Sequence, residues 1–313
     1  MEGKTILILA IMITALTSCD HKHFEFDIDF TPTLLVEFDW SLAPDAKPGG
    51  MTAIFFPVDG VGQSKTFNFD SPDGGYVYLE PGRYNVIGRN NGNDEVDQFS
   101  GIDKFDTYEL FTRECNIFEP VFGNGADYSA IKDLGFDCHL GMWPCYTATM
   151  LDVEITGESQ VITMKPEQRT ATYEVEATGI KNLVDVKQSS GALTGMCQGL
   201  FLGDCTLDHT ETITVPFATY NLNDSTVTGS YYSLPYCREH QPECKLYLFF
   251  WLKDRRRYYY TIDVTDQVRA STDPYLYKIR IDGIDLPPAQ KDDEGGFDVN
   301  IAGWDDVNQD IAM

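Results

Sequence analysis

Eight cysteines are the residues of this sequence whose types and spacing most invite chemistry. Cys138 and Cys145 lie close together along the chain, as do Cys197 and Cys205, and Cys237 and Cys244; Cys115 is left over and Cys19 stands near the N-terminus. None of them forms the C-x-x-C of a zinc site or a redox motif. In an oxidising compartment each local pair would close a disulfide loop of about eight residues, contributing roughly 2.5 kcal/mol by restricting the unfolded chain. The alternative is that the six remain buried thiols and fill space as small apolar side chains. His21 and His23 are two residues apart and would reach one metal ion, but nothing nearby in the sequence completes a ligand set, so no metal is assigned. His139, His209 and His240 sit beside cysteines or acids in loop-like stretches. The sequence contains no G-x-S-x-G elbow, no phosphate-binding Gly-Lys loop, no G-x-G-x-x-G and no H-E-x-x-H. Gly123 and Gly125 lack a third glycine and a helix to open. The 49 Asp and Glu residues are so numerous that any two would pass for a glycosidase dyad, which empties that signal of meaning. No enzyme activity and no cofactor are expected.

Cys19 has a different setting. Lys4 supplies a positive start, residues 6–16 form an apolar run, and Leu16, Thr17 and Ser18 lead into the cysteine. The run is far shorter than the about 20 residues that span a bilayer, and it has the length of the hydrophobic region of a signal peptide. The Leu-Thr-Ser-Cys tetrapeptide resembles the bacterial lipobox. That resemblance implies removal of residues 1–18 and acylation of Cys19, which would hold the protein to the outer membrane through lipid. Two or more acyl chains anchor stably where one does not. Residues 19–33 read as a lipidated tether.

The net charge of −26 disfavours nucleic acid and anionic headgroups as partners. With 42% hydrophobic and 13% aromatic residues the chain has enough apolar material for real cores. Leu34, Val36, Phe38 and Trp40 alternate with Leu35, Glu37 and Asp39, mostly the period of a half-buried strand. Residues 51–58 are almost continuously apolar, as in a strand buried on both faces. Further short strands follow at 67–69, 76–88, 151–155 and 161–164, with turns at 71–75 and at Pro81-Gly82. Residues 89–147 are less regular and read as loops with one short helix at 128–135. After a Pro-containing break at 165–168, a second strand series contains Tyr173, Val175 and Ala177; Ile213, Val215 and Phe217; the run 246–252; Tyr258, Tyr260 and Ile262; and Tyr277, Ile279 and Ile281. Scarce helical periodicity and frequent turns predict an all-β fold of two β-sandwiches, 34–166 and 167–313. Tyr231 and Tyr232, and Tyr258, Tyr259 and Tyr260, would either stack on sugar rings or pack within sheets.

Several segments are similar, in order, to lipoproteins related to the fimbrial anchor subunits of Bacteroidales. VEFDWSLAPDAKPGGMTAIFFP at 36–57 resembles a strand of their first domain, ending in Asp-Trp and followed by a Pro-rich turn and a Gly-Met-Thr strand. SGALTGM at 190–196 resembles a segment early in their second domain. DVTDQV at 263–268, IDGIDLPP at 281–288 and GGFDVNIAGWDDVNQDI at 295–311 resemble their closing strands and terminal Gly-Trp segment. The resemblance implies two tandem transthyretin-like, Greek-key β-sandwich domains, no cofactor and no catalysis. It implies a lipid-anchored surface protein that serves as anchor or accessory subunit of a fimbria or fimbria-like assembly, with fimbrial subunits as partners. The segment 295–313 would then either fold back on its own second sandwich or add as a strand to a neighbouring subunit. A different reading of the same composition is a surface glycan-binding lipoprotein of a nutrient-uptake system, using exposed aromatics.

Overall fold

The computed structural model describes residues 34–290 and 304–306. Strand β1 (Leu34–Phe38) buries Leu34, Val36 and Phe38 and exposes Glu37, the alternation of a strand with one dry face. After it come β2 (Met51–Pro57), β3 (Lys65–Phe69), β4 (Gly74–Val77) and β5 (Gly82–Asn90). The excursion that follows carries β6 (Asp97–Ser100), β7 (Glu109–Thr112) and the one-turn helix α1 (Glu119–Phe122). Then β8 (Tyr146–Ile155), β9 (Gln160–Met164) and β10 (Glu167–Gln168) return to the first strands. A three-stranded sheet, β4-β1-β9, and a five-stranded sheet, β10-β8-β5-β2-β3, share one apolar cluster that includes Val36, Met51, Phe55, Val86 and Met164.

The second group comprises β11 (Ala171–Thr178), β12 (Val186–Phe201), β13 (Thr206–Asn223), β14 (Thr226–Ser233), β15 (Lys245–Leu252), β16 (Arg257–Asp263), helix α2 (Thr265–Ala270), β17 (Leu276–Asp282) and β18 (Trp304–Asp306). Its strand order is β17-β11-β14-β13-β12-β15-β16-β18. One cluster holds Tyr173 and Ile279 from one end of that path together with Phe250 and Tyr260 from the other, so the sheet curls over on itself into a sandwich. The fold is all-β, as the alternation predicts.

Of the run 51–58, Met51 to Phe56 is buried on both faces because two clusters claim it, while Val58 is exposed. Ala53 and Phe55 enter the first core, while Ile54 and Phe56 meet Leu110, Met142, Leu200 and Leu234 on the other side. Residues 89–147 hold more order than their composition suggests. Leu110 and Phe111 of β7 pair with Leu200 and Gly199 of β12, and β6 pairs with β7. The short helix expected at 128–135 is a 3-10 helix, Ser129–Leu134, closed by Gly135 in the left-handed region at φ 67°.

Four rings cross the second sandwich as a ladder. Phe217 stacks on Tyr231, Tyr231 on Tyr173, and Tyr173 on Tyr277, with centroids 4.8, 5.2 and 4.6 Å apart. The buried hydroxyl of Tyr173 donates to Leu234 O at 3.0 Å, and that of Tyr277 accepts from Tyr236 N–H at 3.1 Å. Gly191 is the cross-strand partner of Phe217. A Cβ on Gly191 would stand 2.3 Å from Phe217 Cζ, and the ring, held in the ladder, has nowhere to go. Gly191→Ala is therefore expected to cost about 2 kcal/mol in urea unfolding, with part of the loss recovered in the Gly191→Ala/Phe217→Leu double variant. A double variant whose loss is the sum of the two single losses would show that the glycine is not there for the ring.

Candidate functional site

Among the described residues all seven cysteines are free thiols, and the fold places the members of two local pairs in different apolar clusters. Cys138 belongs to the cluster around Phe118 and Phe249, whereas Cys145 belongs to the cluster around Ile54 and Leu200. Cys237 lies in that second cluster and Cys244 in the large sandwich core. The physical reason is that the chain between sequence neighbours passes from one cluster to another, while strands distant in sequence bring other thiols together. Cys115 N–H donates to Cys138 O at 2.9 Å, next to an antiparallel bridge between Glu114 and His139. Burial, and then the adjacent Cys138, pushes the Cys115 thiol well above its ordinary range. Burial, and then Cys237, pushes the Cys197 thiol up to about 12. Cys205 Sγ lies 3.5 Å from Thr147 Oγ1. Cys19, His21 and His23 lie outside the described residues.

The aromatic clusters expected either to stack on sugars or to pack in sheets do the latter. Tyr231, Tyr258, Tyr259 and Tyr260 are buried, and only Tyr232 is exposed. A cleft of about 630 Å³ opens elsewhere, lined by Asn90, Asn91, Asp94, Trp143 and Tyr146 among others. Trp143 is 58% exposed there, while Tyr146 sits edge-on to Trp40 with centroids 5.6 Å apart. A flat apolar ring beside amides and a carboxylate suits the face and hydroxyl rim of a sugar. Sequence reading passed over Trp143 because a single tryptophan between a glycine-methionine pair and a proline carries no periodicity.

The third candidate is the edge of the large sheet. Its last full strand, β16, receives only the three residues of β18, in parallel register, with Arg257 opposite Trp304 and Tyr259 opposite Asp306. The rest of the segment 295–313 lies outside the described residues. Where the described chain ends, at 288–290, it is clasped. Asp254 Oδ2 accepts from Gln290 N–H at 2.6 Å and from Arg256 Nη2 at 2.6 Å. Arg256 Nη2 also donates to Pro288 O, and Ala289 N–H donates to Asp185 Oδ2 at 2.8 Å. Burial alone would raise the Asp254 carboxyl, but the bonds from Arg256 and Gln290 outweigh it and hold the group below its ordinary value. At the opposite end of the sheet, Gln267 of α2 closes the β17 edge. Its Oε1 accepts from Arg280 N–H at 2.8 Å and its Nε2 donates to Arg280 O at 2.9 Å, so that edge is blocked to pairing there. No helix among the described residues is long and apolar enough to cross a membrane.

Residues 18–218 match the model of a family described as a domain of unknown function, DUF5119. A protein of Bacteroides ovatus, provisionally described as the fimbrium anchoring subunit Fim4B, is 29% identical over 110 residues. That stretch covers 35% of this chain and 32% of the relative, so the match spans about a third of that protein. The crystal structure of a provisionally described adhesin from Bacteroides ovatus superposes with a TM-score of 0.65 at 20% identity, over 84% of this chain and 95% of the other. The fimbrial anchor protein Mfa2 from Porphyromonas gingivalis superposes with a TM-score of 0.50 at 13% identity, over 80% of this chain and 89% of the other.

Two outcomes follow from the geometry. Mild oxidation should link Cys115 to Cys138 before any local pair, closing a loop of about 24 residues and adding roughly 3 kcal/mol; peptide mapping that finds Cys138 bonded to Cys145 instead would contradict the placement. The Asp254 carboxyl is held below its ordinary value, so its clasp contributes in full above about pH 4 and is lost as pH falls through the lowered folded value. Asp254→Asn should therefore reduce stability at pH 6, and the difference from wild type should vanish at the acid end; a difference that persists there would assign the loss to something other than charge.

Proposed function

This chain belongs to the DUF5119 family, and we propose that it is a lipid-anchored cell-surface protein serving as anchor or accessory subunit of a fimbria or fimbria-like assembly. The observation that carries the reading is the aligned stretch with the Bacteroides ovatus relative described as a fimbrium anchoring subunit. The fold shared with the Mfa2 anchor is consistent with it. Cys19, after the Leu-Thr-Ser tripeptide, is the residue that takes the lipid, and the outer membrane is where it holds the chain. Its role is to bind and to position, not to catalyse.

In this reading the partner enters at the β16 edge. Among the described residues the terminal strand pairs with Arg257 to Tyr259 in parallel register, and an incoming strand of a fimbrial subunit would take that place and gain main-chain bonds along β16. The clasp at 288–290 fixes where the terminal segment starts, so the segment can leave the edge without loosening the sandwich.

A second reading draws on the Trp143 cleft, which would make the chain a surface glycan-binding lipoprotein of a nutrient-uptake system. The two separate cleanly, because Trp143→Ala should abolish binding to cell-surface glycans if the cleft takes sugar and should leave subunit association unchanged if the edge is the working surface.

Cys19→Ala is expected to release the protein from the outer-membrane fraction or to leave it uncleaved. Mature variant still sedimenting with the outer membrane would place the anchor elsewhere. Deleting residues 295–313 should abolish co-isolation with the fimbrial partner while lowering the melting temperature of the purified protein by only a few degrees. A large loss of stability would make the segment part of the protein's own core.

A further inference from the structure

Three side chains that the assembly role does not use converge at one corner of the second sandwich. His209 projects from β13, and Cys237 and His240 from the loop between β14 and β15, and one ligand-type atom of each lies within 4.8 Å of the other two. The fold makes this convergence. β12 and β13 pair as Cys197 with Thr212 and then as Gly199 with Asp208, so β13 bulges through the residues around His209. The 234–244 loop is turned at Gln241, whose N–H donates to Cys237 O at 3.0 Å and whose φ is 46°. That turn brings His240 back over Cys237.

Several details distinguish this corner from a chance meeting of polar residues. The two imidazole rings are in direct contact, with centroids 3.5 Å apart and planes tilted by 55°, and they would spread apart on taking up an ion. His209 Nδ1 lies 2.9 Å from Leu207 O. A proton on Nδ1 satisfies that contact and leaves the Nε2 lone pair free to coordinate, the outer-shell arrangement usual for metal-bound histidine. The three donors are graded in exposure, with Cys237 buried, His209 half-buried and His240 exposed, which gives an ion a route in from solvent. Cys197, from β12, belongs to the same apolar cluster as Cys237 but stands outside the trio, and its thiol donates to Pro235 O at 3.5 Å.

We propose that His209, Cys237 and His240 bind a divalent transition metal of borderline softness, zinc by preference, with solvent in the fourth position. One thiolate and two imidazoles are donors that such an ion takes in tetrahedral geometry. The ion would fasten the 234–244 loop to β13, beside the apolar cluster that Cys237 shares with Leu200 and Leu234. Spacing in the sequence hides the set, because its members come from a strand and a loop that meet only in the folded chain.

The test uses the full mature chain, purified with a reductant and stripped of metal by chelation. Titration with Co²⁺ should give one saturable equivalent with the intense visible bands of a tetrahedral site and a thiolate-to-metal charge-transfer band, and Zn²⁺ should displace it. His240→Ala, at an exposed position that folding does not need, should weaken Zn²⁺ by more than the roughly 10–100-fold that loss of an outer-shell partner costs. Cys237→Ser should remove the charge-transfer band, and Cys197→Ser should leave both the band and the affinity in place. Octahedral Co²⁺ spectra, or saturable binding that His240→Ala and His209→Ala leave unchanged, would overturn the proposal. So would a Cys197–Cys237 disulfide in protein taken from membranes under thiol-blocking conditions, because it would consume the one thiolate donor.

Discussion

Strand β12 is the constraint on which the rest of the structure depends. Its sixteen residues accept β13 along one edge and β15, then β7, along the other. Three of the four apolar clusters contain its side chains: Leu193 and Met196 in the large core, Ala192 under the 115–138 excursion, and Leu200 against β2 and β5. A strand used on both edges and both faces cannot slip in register, since a shift of one residue would turn its apolar set inside out. The bulge at Gly195, in the left-handed region at φ 76°, lets one strand serve two partners with different twist. Gly195 has no room for a side chain either, as a Cβ there would stand 2.3 Å from Glu243 O.

From that spine the sheet loses definition outward. β15 is buried on both faces by Phe249 and Phe250, and the excursion adds Phe118 against Phe249 and Trp251 at 5.1 and 4.9 Å. β16 is still covered on both faces, through Tyr259 and Tyr260, and among the described residues its outer edge meets only β18. The proposed role would use this gradient, because local opening at an edge costs far less than opening a core. The opposite edge is closed where Gln267 takes both backbone groups of Arg280. The two edges of one sheet thus differ in the way that directional association requires.

The strands were legible because burial on one face leaves a period of two. Leu34, Val36 and Phe38, and Tyr173, Val175 and Ala177, sit where their alternation put them, and the apolar run at 51–58 is buried on both faces as far as Phe56. Strands β6 and β7 were not legible, since each has four residues, and β7 is held by β12 and β6 by β7 rather than by its own pattern. The sites were the least legible part. Cysteine spacing along the chain says which thiols are neighbours in sequence, but Cys115 meets Cys138, and Cys197 meets Cys237, through pairings of strands and loops far apart in sequence. The tyrosines of β16 look like a binding platform in sequence and are core in the fold, whereas the exposed ring is Trp143, which sequence alone leaves unremarked.

The account rests on a firm spine with one yielding edge, and native-state hydrogen exchange measures that directly. Amides of β12 and β15 should exchange only through global unfolding, while those of β18 and of Arg257, Tyr258 and Tyr259 that face it should exchange through a local opening several kcal/mol cheaper. Protection of β18 equal to that of β12 would contradict the account, for the terminal strand would then be as much a part of the core as the spine.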